Sequence, residues 1–101
     1  MPRTWKISID QAPGQTPAAF NPASLPVSAG DTIFWSNNTA DPHWPAPSPG
    51  VPPDTWFDAE IPGKLPDQPA PASSQLTFAS AATVSYVCAL HPQMTGEIVV
   101  T

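Results

Sequence analysis

Apolar and polar residues alternate in several short runs along this chain, the period-two pattern of strands with one buried face. In TWKISI (Thr4 to Ile9), Trp5, Ile7 and Ile9 alternate with polar or charged residues. QAPGQTPAAF then reads as a turn and a return. After NPASLPVSAGD, whose Gly30-Asp31 is a turn signal, TIFWSN predicts a strand with Ile33 and Trp35 on one face. Together these runs predict an antiparallel meander. The last third is the most regular, with strands predicted over QLTFAS, ATVSYVC and GEIVVT. Val84, Tyr86 and Cys88 share one face of the middle run, so Cys88 is expected at a strand end, pointing inward.

Between these runs the pattern breaks down. From Asn38 to Pro53 the chain is almost all turn chemistry and predicts a surface loop carrying His43 and Trp44. WFDAEI predicts a short strand. PGKLPDQPAPASS predicts a second irregular connection with polyproline II character. ALHPQMT is left as the tight connection to the final strand.

Composition sharpens this picture. Sixteen prolines and 11% charged residues resemble disorder, yet 41% of the chain is hydrophobic, with four Trp and four Phe to bury. A folded, loop-rich protein is expected. Proline is excluded from helix interiors and central strands, so the fold class is all-β, a sandwich or small barrel. At 101 residues the chain is expected to be a single domain, 1–101, with one core. No internal repeat is present.

The net charge of -5, with only three cations, excludes phosphate-backbone binding, so nucleic acid is not an expected partner. No apolar run approaches the roughly 20 residues that a membrane-spanning helix needs. No signal-peptide pattern precedes TWKISI, which predicts either a cytoplasmic protein or a mature or excised domain. One cysteine excludes an internal disulfide and leaves the redox compartment unread.

The chemistry concentrates in YVCALHPQM. It holds the only cysteine, one of two histidines and the only methionine apart from Met1. Cys88, His91 and Met94 are spaced three apart, so their side chains can converge without a helix. Taken singly, each is an ordinary residue: a lone Cys or Met is usually core, and a loop His usually binds nothing. Taken together, a thiolate, an imidazole and a thioether form a soft ligand set that selects copper, and the two-His, one-Cys site with a weak axial Met is the blue-copper arrangement. The second imidazole must be His43, since the chain has no other. Structural zinc sites want four Cys or His ligands, and iron–sulfur clusters usually want four cysteines; neither fits. A Cys-His nucleophile lacks an orienting third group and an oxyanion hole.

These residues carry a resemblance to the cupredoxins, the small blue copper proteins. It runs from FNPASLPVSAGDTIFWSN through DPH and FDAEIPG to YVCALHPQMTGEIVV. The short Cys-x-x-His-x-x-Met loop is similar to the amicyanin form, within an amicyanin- and plastocyanin-like group. The resemblance implies a Greek-key β-sandwich of about eight strands, with His43, Cys88, His91 and Met94 as copper ligands. It implies a one-electron carrier rather than an enzyme, periplasmic or otherwise extracytoplasmic and monomeric, with one copper ion cycling between Cu(I) and Cu(II). Two alternatives are a copper carrier or storage domain and the cupredoxin domain of a larger redox enzyme.

It further implies a redox protein partner, such as a cytochrome, docking near His91 on an apolar patch. Pro45, Ala46, Pro47, Leu90 and Pro92 are placed to form that patch. Asp54, Asp58, Glu60 and Asp67 would add acidic steering. Family members join their two ligand loops with a polar clamp, Asn after the first His and Ser or Thr after the Cys. Trp44 and Ala89 stand at those positions here. The paired change suggests that Trp44 packs apolar surface beside the ligand loop and shields Cys88 from water.

Overall fold

The computed structural model describes residues 3–12, 18–48 and 60–101. Eight strands follow one another in sequence, with no helix among the described residues: β1 (Thr4–Asp10), β2 (Ala19–Asn21), β3 (Ser24–Val27), β4 (Thr32–Asn37), β5 (Pro45–Pro47), β6 (Leu76–Thr77), β7 (Ala82–Cys88) and β8 (His91–Val100). They form two four-stranded sheets, ordered β2-β1-β4-β6 and β3-β8-β7-β5.

The alternation predicted from the sequence decides what lies between the sheets. Ile7, Ile9, Ile33 and Trp35 face inward from the first sheet, and Leu25, Val27, Val84, Tyr86, Ile98 and Val100 from the second. Tyr86 joins the layers. Its ring meets Trp35 and Phe20 edge-on, at centroid separations of 5.3 and 4.7 Å. Across the β7–β8 pair Tyr86 faces Gly96. A Cβ at Gly96 would overlap the Tyr86 ring, so the missing side chain makes room for the aromatic one.

The meander prediction is corrected. β1 and β2 do form an antiparallel hairpin, but β1 pairs in parallel with β4, and β3 pairs in parallel with β8. Alternation says which face of a strand is buried and is silent about its neighbour. The turn at Gly30, φ +93°, carries the chain from one sheet to the other. The predicted surface loop contains a strand, β5, at the edge of its sheet. Its ladder bonds run through Trp44 O and Ser48 N, so alternation turns the imide nitrogens of Pro45 and Pro47 away from β7. The strand predicted over QLTFAS shortens to Leu76–Thr77. In WFDAEI, residues 56–59 lie outside the described residues, and Ile61 makes an isolated antiparallel bridge with His43.

At the end of the sandwich away from Cys88, the carboxylate of Asp31 accepts hydrogen bonds from the Arg3 and Ser28 backbone amides and from the Trp5 indole, at 2.9 to 3.0 Å. These donors join the starts of β1 and β4 to the end of β3, and they hold the carboxyl below its ordinary value of 3.8. A lowered folded-state pKa stabilises the fold above the unfolded value, and that contribution disappears as pH falls through the folded value. Asp31→Asn is therefore expected to lower the denaturant midpoint at neutral pH and to remove part of the wild-type loss of stability below 3.8. Equal pH dependence in the two proteins would refute this. Gly96→Ala is expected to cost about 1–3 kcal/mol by overpacking Tyr86, read from equilibrium unfolding.

Candidate metal centre

The second sheet builds the site at the far end of β7. The connection predicted over ALHPQMT is shorter than expected: only Ala89 and Leu90 turn, and His91 already belongs to β8. Cys88 pairs with His91, whereas its neighbour Val87 pairs with Thr95. Pro92, Gln93 and Met94 therefore have no partner on β7, a three-residue bulge on one side of the hairpin. Met94 keeps the alternation of Gly96, Ile98 and Val100 on the inner face, and the bulge brings His91 opposite Cys88. Met94 is 2% exposed and shares the core cluster with Cys88.

His43 arrives from the other direction. Its backbone exchanges two hydrogen bonds with Ile61, N–H to carbonyl at 3.1 Å and carbonyl to N–H at 2.7 Å. Its ring is buried, and its Nδ1 lies 3.7 Å from the Cys88 sulfur, which is itself fully buried. His91, half-buried, brings its Nδ1 to 3.5 Å from the same sulfur. The three candidate ligand atoms lie within 4.8 Å of one another, and the imidazole centroids are 4.9 Å apart.

These separations can be tested against an ion. A metal about 2.3 Å from a thiolate and about 2.0 Å from an imidazole nitrogen sets sulfur and nitrogen about 3.5 Å apart at a tetrahedral angle and about 3.7 Å apart at a trigonal one. Both observed distances fall there. Burial, and next the positive charge His91 would carry, lower the pKa of His43, against a smaller opposing effect of Asp41. His43 is thus held as the neutral imidazole that metal binding requires. Its Nε2 is buried with no hydrogen-bond partner. A thiol, two imidazoles and a thioether in this arrangement fit a single copper ion.

Two hydrogen bonds from backbone amides join the His43 segment to Cys88 and the turn after β7. The Trp44 amide donates to the Cys88 sulfur at 3.3 Å, and the Ala89 amide donates to the Trp44 carbonyl at 2.8 Å. Side chains at 44 and 89 are not needed for either bond, which is why residue types alone did not reveal them. The Trp44 side chain is half-buried, and its indole nitrogen is buried without a partner. The expected apolar patch is smaller than predicted. Leu90 (43% exposed) and Pro92 are exposed and Pro47 is half-buried, but Pro45 and Ala46 are buried where β5 packs on the sheet. Of the acidic residues, Glu60 and Asp67 are exposed, and Asp54 and Asp58 lie outside the described residues.

Residues 6–101 match the family of copper binding proteins, plastocyanin/azurin family, and the chain belongs to that family. Amicyanin from Paracoccus denitrificans is 33% identical over 85 residues, a match that covers 80% of this chain and 57% of that protein's length. Among solved structures, a reduced Cu(I) form, at pH 4, of a proline-to-glycine variant of amicyanin superposes with a TM-score of 0.69. It is 28% identical, covering 97% of this chain and 82% of the other. A Cu(I) form of a methionine-to-alanine variant of amicyanin gives the same TM-score and coverage at 30% identity. The all-strand, two-sheet architecture is the amicyanin cupredoxin fold.

Burial of Met94 predicts a cost independent of any metal. In metal-free protein, Met94→Ala is expected to lose about 2–5 kcal/mol of unfolding free energy, and Met94→Leu less than about 1.5 kcal/mol. Equal stability of wild type and Met94→Ala would remove Met94 from the core.

Proposed function

We propose, from membership of the plastocyanin/azurin family, that this chain is a mononuclear blue copper protein and a one-electron carrier, with His43, Cys88, His91 and Met94 as its copper ligands. Bound copper supplies one-electron chemistry by cycling between Cu(I) and Cu(II). The observation that carries the reading is the pair of sulfur–nitrogen separations, 3.5 and 3.7 Å, around one buried sulfur.

What the residues do follows from their placement. Cys88 and His43 exclude water from the thiolate, the Trp44 amide stabilises charge on sulfur, and the pairing of β5 with β7 holds both in register. Protein groups fill the ligand positions and leave none for a substrate, which supports a carrier over an enzyme. His91 is the half-exposed member of the set, next to exposed Leu90 and Pro92. Electrons would pass there to a redox protein partner such as a cytochrome. The whole chain, 1–101, is proposed to be one monomeric copper domain that works outside the cytoplasm. No helix among the described residues is long and apolar enough to cross a membrane.

The test is a visible absorption spectrum of Cu(II)-loaded protein beside Cys88→Ser. An intense thiolate-to-copper band in wild type, lost in the variant, is expected, together with reversible voltammetry. A band indifferent to Cys88 would overturn the copper site. Rapid surrender of Cu(I) to a chelator, without reversible cycling, would replace the electron carrier with a metal carrier or store.

A further inference from the structure

Every ligand except His43 sits on one hairpin. His43 lies outside the strands, in an isolated bridge with Ile61 on one side and next to the β5–β7 ladder on the other. What fixes it is visible one turn earlier, at the end of β4. Asn37 is a fully buried polar side chain in an otherwise apolar strand face. Its Nδ2 donates to the Asp41 carbonyl at 2.8 Å and to the Pro62 carbonyl at 3.0 Å. Its Oδ1 accepts from the Thr39 amide at 2.9 Å and from the Thr39 hydroxyl at 2.8 Å. A carboxamide has two donor hydrogens and two acceptor lone pairs, and all four are used. Reversing the amide would set its NH2 against the Thr39 amide and leave two carbonyls facing an oxygen, so the network fixes its orientation.

We propose that Asn37 is the positioning residue for His43. Its side chain ties the segment entering His43, through Thr39 and Asp41, to the segment leaving Ile61, through Pro62. Two further contacts close the same loop. Lys64 N–H donates to the Thr39 carbonyl at 2.7 Å, and Gly63 packs against the Ala40 carbonyl with no room for a Cβ. His43 is thereby held from both sides of the bridge by one buried side chain that touches no ligand atom. A fully satisfied buried network of this kind selects one geometry, and its disruption leaves donors and acceptors stranded.

The inference deepens the copper reading and rests on it for its metal readout alone. In metal-free protein, the His43 ring resonances are expected to be single and sharp. Asn37→Ala should broaden or double them and weaken Cu(I) binding, measured by chelator competition, about 10–100-fold. Should Asn37→Ala fail to fold, Thr39→Val decides. It keeps the shape, removes the hydroxyl that bonds to Asn37 Oδ1 at 2.8 Å and lies 3.0 Å from the Asp41 carbonyl, and should move the same signals by a smaller amount. Asp31→Asn, destabilised at the remote end, and Asn38→Ala, whose exposed amide bonds to Asp10 at 2.9 Å, should leave the His43 signals unmoved. Unmoved His43 signals in Thr39→Val, or equal movement in Asp31→Asn, would overturn the proposal. If wild type binds no copper, the metal reading falls, and the ring resonances of metal-free protein still decide the role of Asn37.

Discussion

A sulfur atom with no access to water sits between two imidazoles that enter from different parts of the chain, and the pairing of β5 with β7 keeps it there. Cys88 lies opposite Pro45 in that ladder, so the residue just before β5 presents its amide to the sulfur and its carbonyl to the next turn. If β5 were to slip by one residue, the Trp44 amide would leave the sulfur and His43 would move with it. The three-strand seam β5-β7-β8 thus sets distances that no single loop could hold.

Much of this was legible in residue order, and what was missed shares one cause. Period-two alternation predicted β1, β4 and β7 and their buried faces, because an inward Ile7, Trp35 or Tyr86 leaves its mark at every second position. The clustering of Cys88, His91 and Met94 pointed to their juxtaposition, and the count of histidines pointed to His43. Alternation carries no record of neighbours, so the parallel pairs β1–β4 and β3–β8 were read as a meander. Proline made β5 look like loop. Prolines at alternate positions are compatible with an edge strand, where every second N–H has no partner to meet.

The site residues were visible because they are rare. The parts that position them were not, because they are backbone or common. The bulge at Pro92 to Met94 is a matter of register. Asn37 reads as one polar residue ending a strand, and only the fold shows it at 0% exposure with four hydrogen bonds. Met94 illustrates the converse. Read singly it belonged to the core and read with its neighbours it belonged to the ligand set, and the structure buries it in the same core cluster as Cys88.

The backbone bonds at Trp44 and Ala89 bear on why a family member can dispense with a polar clamp. A side-chain clamp needs two residue types chosen together, whereas an amide and a carbonyl are present whatever the side chains are. Once the β5–β7 ladder supplies both bonds, positions 44 and 89 are released from holding the loops together. The donor to the sulfur is the Trp44 amide, so a change of side chain at 44 leaves that donor in place, and hydrogen bonding and side-chain choice, which a polar clamp couples, are separate in this chain.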